Sequence, residues 1–173
     1  AWLGGPYWQT LALDAMIFVV FGISLQAMMG LAGLVSFGHA AYFGVGAFAT
    51  LHAMKAMGGV GLLPTPLLPL AGAVAGLAFG MIAGWFATKR SGTYFAMITL
   101  ALAELLHALA PHLKSLFGGE SGVSTMRMPA WGISFANSTQ LYYLTLLWVL
   151  ASLGLLYLFT HTPLGRLTFG LRE

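Results

Sequence analysis

Ala71-Gly72-Ala73-Val74-Ala75-Gly76-Leu77-Ala78-Phe79-Gly80-Met81-Ile82-Ala83-Gly84 is the stretch that decides the fold. Gly72, Gly76, Gly80 and Gly84 recur at every fourth position, and no charge falls between Ala56 and Thr88. In a water-soluble helix each interior glycine costs about 1 kcal/mol relative to alanine. In a bilayer the same spacing lays a groove along one helix face and lets a neighbouring backbone come close. The pattern predicts an integral membrane protein in which these four glycines are packing residues.

Composition agrees. The 173 residues are 59% hydrophobic and only 6% charged, with a mean hydropathy of +0.88. A soluble domain carries about 25% charged residues. The net charge of +3 forms no patch, so nucleic acid is not an expected partner. With no cysteine, disulfides, thiolate catalysis and cysteine metal sites are excluded. The start, Ala1-Trp2-Leu3-Gly4-Gly5-Pro6, has neither an initiating Met nor a basic leader region, and reads as a chain met partway through.

A spanning helix needs roughly 20 mostly apolar residues. Five segments qualify: about Leu11 to Met29, His39 to Met57, Pro66 to Thr88, Thr93 to Leu113, and Leu141 to Thr160. The fold class expected is all-α, a polytopic transmembrane helical bundle of about five spans forming a single domain over residues 1–173. Between the first two spans, Gly30-Leu31-Ala32-Gly33-Leu34-Val35-Ser36-Phe37-Gly38 is broken by glycine yet too apolar for a solvated loop. Its backbone groups need partners, which points to a break lying against protein or a watery cavity. Lys89 and Arg90 after the third span, and Arg166 and Arg172 after the fifth, place both clusters in the cytoplasm. The N-terminus, the turn from Lys55 to Pro66 and the 117–140 loop then face outward.

Few residues here carry chemistry. Glu104 and His107 are three apart on the fourth span and share a face. Ionisable groups at membrane depth point into a bundle or cavity. Three roles fit them: a contact or hinge on a translocation path, an interhelical hydrogen bond, or a proton relay. His39 opens the second span after Ser36-Phe37-Gly38, and Ser36 is placed to cap that helix. A half-helix N-terminus in a membrane suits an anionic group, so Gly33, Ser36, Gly38, His39, Tyr42 and Phe43 join Glu104 and His107 as candidates for the path; a capped structural bend is the other reading. Asp14, near the outer end of the first span, is a helix-end charge or a contact for an outside partner. The five histidines match no metal-ligand spacing. No nucleophile–base pair or dinucleotide fingerprint occurs, so an enzyme is not expected and no cofactor is assigned to this chain.

Four stretches together resemble one family: Gly30 to Phe48, Arg90-Ser91-Gly92-Thr93-Tyr94-Phe95 through Glu104, Gly118-Gly119-Glu120-Ser121-Gly122-Val123, and Thr162-Pro163-Leu164-Gly165-Arg166 through Leu171-Arg172-Glu173. In this order they look like the inner-membrane permeases of branched-chain amino acid ABC importers. The resemblance implies a multi-pass protein of the bacterial inner membrane. It implies a second, related permease subunit, two cytoplasmic ATPase subunits that use the ATP, and a periplasmic substrate-binding protein. Leucine, isoleucine and valine would be the cargo; urea, short amides or other small organic acids are the alternative. An energy-independent channel or a membrane scaffold is the alternative of another class. Gly165, Arg166, Arg172 and Glu173 would lie at the start of the helix that couples to the ATPase. Family members continue beyond this point and have a more alanine-rich run where Thr168-Phe169-Gly170 stands here. The expectation is therefore a fragment of a larger ABC permease fold, truncated at the C-terminus, with the N-terminus a second candidate for truncation.

Overall fold

The computed structural model describes residues 5–57, 64–89, 92–119, 122–125, 129, 135 and 137–170. Every regular element among them is helical: α1 (Gly5–Ala32), α2 (His39–Met57), a 3-10 turn (Thr65–Leu67) running into α3 (Leu68–Ala87), α4 (Thr93–Leu109), the short α5 (Lys114–Phe117), α6 (Ser138–His161) and α7 (Pro163–Gly170). Three stretches are long and apolar enough to cross a membrane: Tyr7–Ala32, Thr65–Ala87 and Ser138–His161. The other two expected spans fall short for physical reasons. At 17 residues, α4 is about 25 Å long at 1.5 Å per residue, against about 30 Å of hydrocarbon. It stops before the expected Leu113 because Pro111 has no N–H to donate to the His107 carbonyl, although Ala110 before it still has helical angles. The 19-residue α2 carries His39, His52 and Lys55, which lower its apolarity.

Two further boundaries differ from the sequence reading. Helix α1 begins at Gly5 rather than near Leu11. Asp14 is therefore about 14 Å along the helix, not at its end, and it is exposed. At the other end α1 continues through Ala32, so the break between α1 and α2 is confined to 33–38. Gly33 closes α1 with φ at 64°, its N–H donating to the Met29 carbonyl at 3.1 Å. Only glycine adopts that left-handed backbone without strain.

The chain forms two compact units, residues 1–34 with 134–173, and residues 35–133. In the first, α1 packs along α6, and both contact α7. Gln9 at the start of α1 donates to the Thr139 hydroxyl at the start of α6 (3.1 Å), so these helices run side by side in the same direction. Leu13 and Val149 are buried. Thr162 ends α6 and caps α7: its Oγ1 accepts from the Gly165 N–H at 3.2 Å, with Pro163 at the first helical position. Gly165 is buried where a Cβ would meet the Phe159 carbonyl.

In the second unit the closest packing is between α2 and α3. Tyr42, Gly46 and Thr50, also four apart, face the glycine series of α3. A Cβ on Gly72 would meet the Thr50 hydroxyl and lie 2.7 Å from the Gly46 carbonyl oxygen. Gly76 lies under the Tyr42 carbonyl and Gly80 under the Tyr42 ring, at 3.9 and 3.8 Å. The Tyr42 ring also meets Phe79 edge-on at 5.4 Å. Gly84 has open space at its Cβ position, so the close approach involves three of the four glycines. The other side of α3 presents Val74, Leu77, Met81, Trp85 and Phe86 outward. In water such a surface is a liability; in a bilayer it is the solvent-facing side. Lys89 lies 5.5 Å over the Trp85 ring at the end of α3, an arrangement suited to a membrane interface.

Candidate functional site

The α4 side of α2 carries the site. Helix α4 meets α2 at Thr99, which is 1% exposed and donates its hydroxyl to the Ala96 carbonyl at 2.9 Å. Gly38 lies against the Thr99 backbone: a Cβ there would fall on the carbonyl group, 2.7 Å from its carbon. Phe95 and Ala96 are buried on the same face of α4. Beyond this crossing a cavity of about 390 Å³ opens between the two helices. Phe37, just before α2, and Ala41, Gly44, Val45 and Phe48 of α2 form one wall; Leu100, Ala103, Glu104 and His107 form the α4 wall. Phe117 of α5 closes one end, edge-on to Phe48 at 4.9 Å. A ring nitrogen of His52 on α2 contacts the Leu116 carbonyl and ties α5 to the same helix.

Glu104 and His107 thus face one cavity, and all its other lining side chains are apolar. Both are exposed, and neither makes a hydrogen bond or ion pair among the described residues. An ionisable side chain at membrane depth points to a watery cavity, a ligand or a partner. This arrangement can hold an amphiphilic small molecule, with a carboxylate and an imidazole one helical turn apart and apolar walls on either side.

The other candidates from the sequence sit elsewhere. Gly33 ends α1, in the first unit. Ser36 is buried, and its hydroxyl has no partner among the described residues, so it does not form the expected cap. Helix α2 starts at His39, and Gly38 holds the capping position. Ser36 lies two residues further upstream, out of reach of the first helical N–H groups. The His39 ring lies 5.9 Å from that of Tyr42, and Tyr42 packs on α3 rather than on the cavity. Phe43 is exposed. Arg166 is exposed on α7, while Arg172 and Glu173 lie outside the described residues, as do Arg90, Ser91, Glu120 and Ser121.

The sequence reading missed Gly44, Val45, Phe48, Leu100, Ala103 and Phe117. A signal was present in two of the helices. Phe37, Ala41, Gly44 and Phe48, and Leu100, Ala103, His107 and Ala110, each step by three or four residues along one face. Nothing in the sequence tells that these two faces meet.

The family described as "Branched-chain amino acid transport system / permease component" matches residues 7–173. Two curated proteins are similar over 94% of this chain. Each bears the name "High-affinity branched-chain amino acid transport system permease protein LivM". The one from Salmonella typhimurium is 29% identical and the one from Escherichia coli is 27% identical. The chain spans 43% of the length of these relatives. No solved structure matches. With apolar helices long enough to cross a bilayer, the protein is a multi-pass membrane protein, and the chain belongs to the branched-chain amino acid transport permease family.

Proposed function

We propose that the protein is a permease subunit of a binding-protein-dependent ABC importer and forms part of the path by which branched-chain amino acids cross the bacterial inner membrane. The single observation that carries this reading is the apolar cavity between α2 and α4 with Glu104 and His107 in one wall. The family and the names of its relatives supply the transport class. In this reading the chain binds no cofactor. ATP is hydrolysed by two cytoplasmic ATPase subunits, a second related permease completes the path, and a periplasmic protein delivers the substrate. Closure of the ATPases moves the coupling region that begins around Gly165 and Arg166, and the permease pair alternates between outward and inward access.

Affinity purification of the tagged protein from native membranes, followed by mass spectrometry and uptake in proteoliposomes, tests this reading. Two ATPase subunits and a second permease in the eluate, with ATP-dependent uptake of labelled leucine, are the expected result. An eluate of full-length, folded protein free of any ATPase rejects it in favour of a channel or scaffold.

A further inference from the structure

We infer that the α2/α4 cavity is a subsite for an aliphatic α-amino acid in its zwitterionic form, with the ammonium on the Glu104 carboxylate and the carboxylate on the ring N–H of His107. The inference rests on the transport reading above and names the residues that would read the cargo.

Four observations meet here. The two polar groups are one helical turn apart, so an acceptor of negative charge and an N–H donor stand side by side. Within the described residues neither has another partner. A carboxylate kept at membrane depth without a cation is costly, and an ammonium ligand supplies one in a charge-assisted hydrogen bond. The remaining lining is carbon: Phe37, Val45, Phe48 and Leu100 give a branched alkyl chain apolar surface and offer it no hydrogen-bonding side chain. Finally, Gly44 on the α2 wall has open space where a Cβ would be, and the volume of about 390 Å³ lies within the range of small-molecule sites. A site that hydrogen-bonds both charged groups of its ligand discriminates against analogues that lack one of them.

The experiment is photo-crosslinking with a diazirine analogue of leucine. It uses the full-length protein purified in its native assembly, with the attachment site mapped by mass spectrometry. Label is expected on segments 37–48 and 100–117. Leucine should compete, while isoamylamine and 4-methylpentanoate, each lacking one charged group, should compete about tenfold more weakly. Glu104→Gln should lower labelling about tenfold, and Glu104→Asp should retain more of it. Gly44→Leu, which fills the cavity from the opposite wall, should abolish it. Thermal unfolding in detergent establishes that each variant is folded. Label outside these segments overturns the proposal. So does undiminished label in folded Glu104→Gln and Gly44→Leu, or competition by 4-methylpentanoate equal to that by leucine. Uptake by wild-type proteoliposomes separates the two ideas. Label at this site without ATP-dependent uptake supports the subsite and sinks the transport reading; uptake without such label does the reverse.

Discussion

At the scale of single residues, the glycines of α3 and α2 are not equivalent, and their surroundings rank the effect of adding a methyl group. Gly72→Ala puts a Cβ against the Gly46 backbone oxygen and the Thr50 hydroxyl, and Gly38→Ala puts one against the Thr99 carbonyl. Backbone cannot step aside as a flexible side chain can, so each substitution is expected to cost about 1–3 kcal/mol. Gly76→Ala and Gly80→Ala meet Tyr42 at ordinary contact distance and should be nearly neutral, while Gly80→Leu would have to displace the Tyr42 ring. Gly84→Ala meets nothing and should be neutral or stabilising by up to about 1 kcal/mol through helix propensity. Thermal unfolding of the set in one detergent checks the ranking. Equal stability of Gly72→Ala and Gly84→Ala would contradict it. The sequence displayed four identical glycines; which of them meet a neighbour depends on where α2 crosses.

At the scale of elements, helix existence was legible and helix ends were less so. The five long apolar stretches all became helices over most of their length, because a predominantly apolar run has no better way to satisfy its backbone in a bilayer. The early start of α1 at Gly5 was missed because Tyr7, Trp8, Gln9 and Thr10 look interfacial rather than helical. The end of α4 was marked by Pro111 and was overrun by reading apolarity alone. Helix α7 runs to Gly170, a poor helix former, started firmly by the Thr162 cap and Pro163. Thr162→Ala should remove about 1 kcal/mol from this start. Hydrogen exchange would show it as loss of protection at the first amides of α7, with α6 amides unchanged; unchanged protection throughout would show that packing against α6, not the cap, holds the helix. The cavity was legible only in half. Glu104 and His107 stood out as charge in an apolar run, whereas its apolar walls look like any other helix face until α2 and α4 are seen to meet.

At the scale of the whole molecule, sidedness follows from the hydrogen bond between Gln9 and Thr139. It sets the starts of α1 and α6 at the same level. Each complete crossing of a bilayer reverses the direction of the chain, so α1 and α6 can point the same way only if an odd number of further crossings intervenes between them, α3 included. With α3 long and apolar enough to cross, α2 and α4 must behave alike: either both cross or neither does. Cysteines placed at Gln9 and Thr139 should therefore react with an impermeant maleimide from one and the same face of sealed vesicles; one at Lys89 should react from the opposite face if α2 and α4 both cross, and from the same face if neither does. Labelling of Gln9 and Thr139 from opposite faces would break the pairing. A single hydrogen bond between two uncharged side chains thus acts as a parity check on the topology: it ties the two shorter helices, α2 and α4, to one fate and forbids either from crossing the membrane alone.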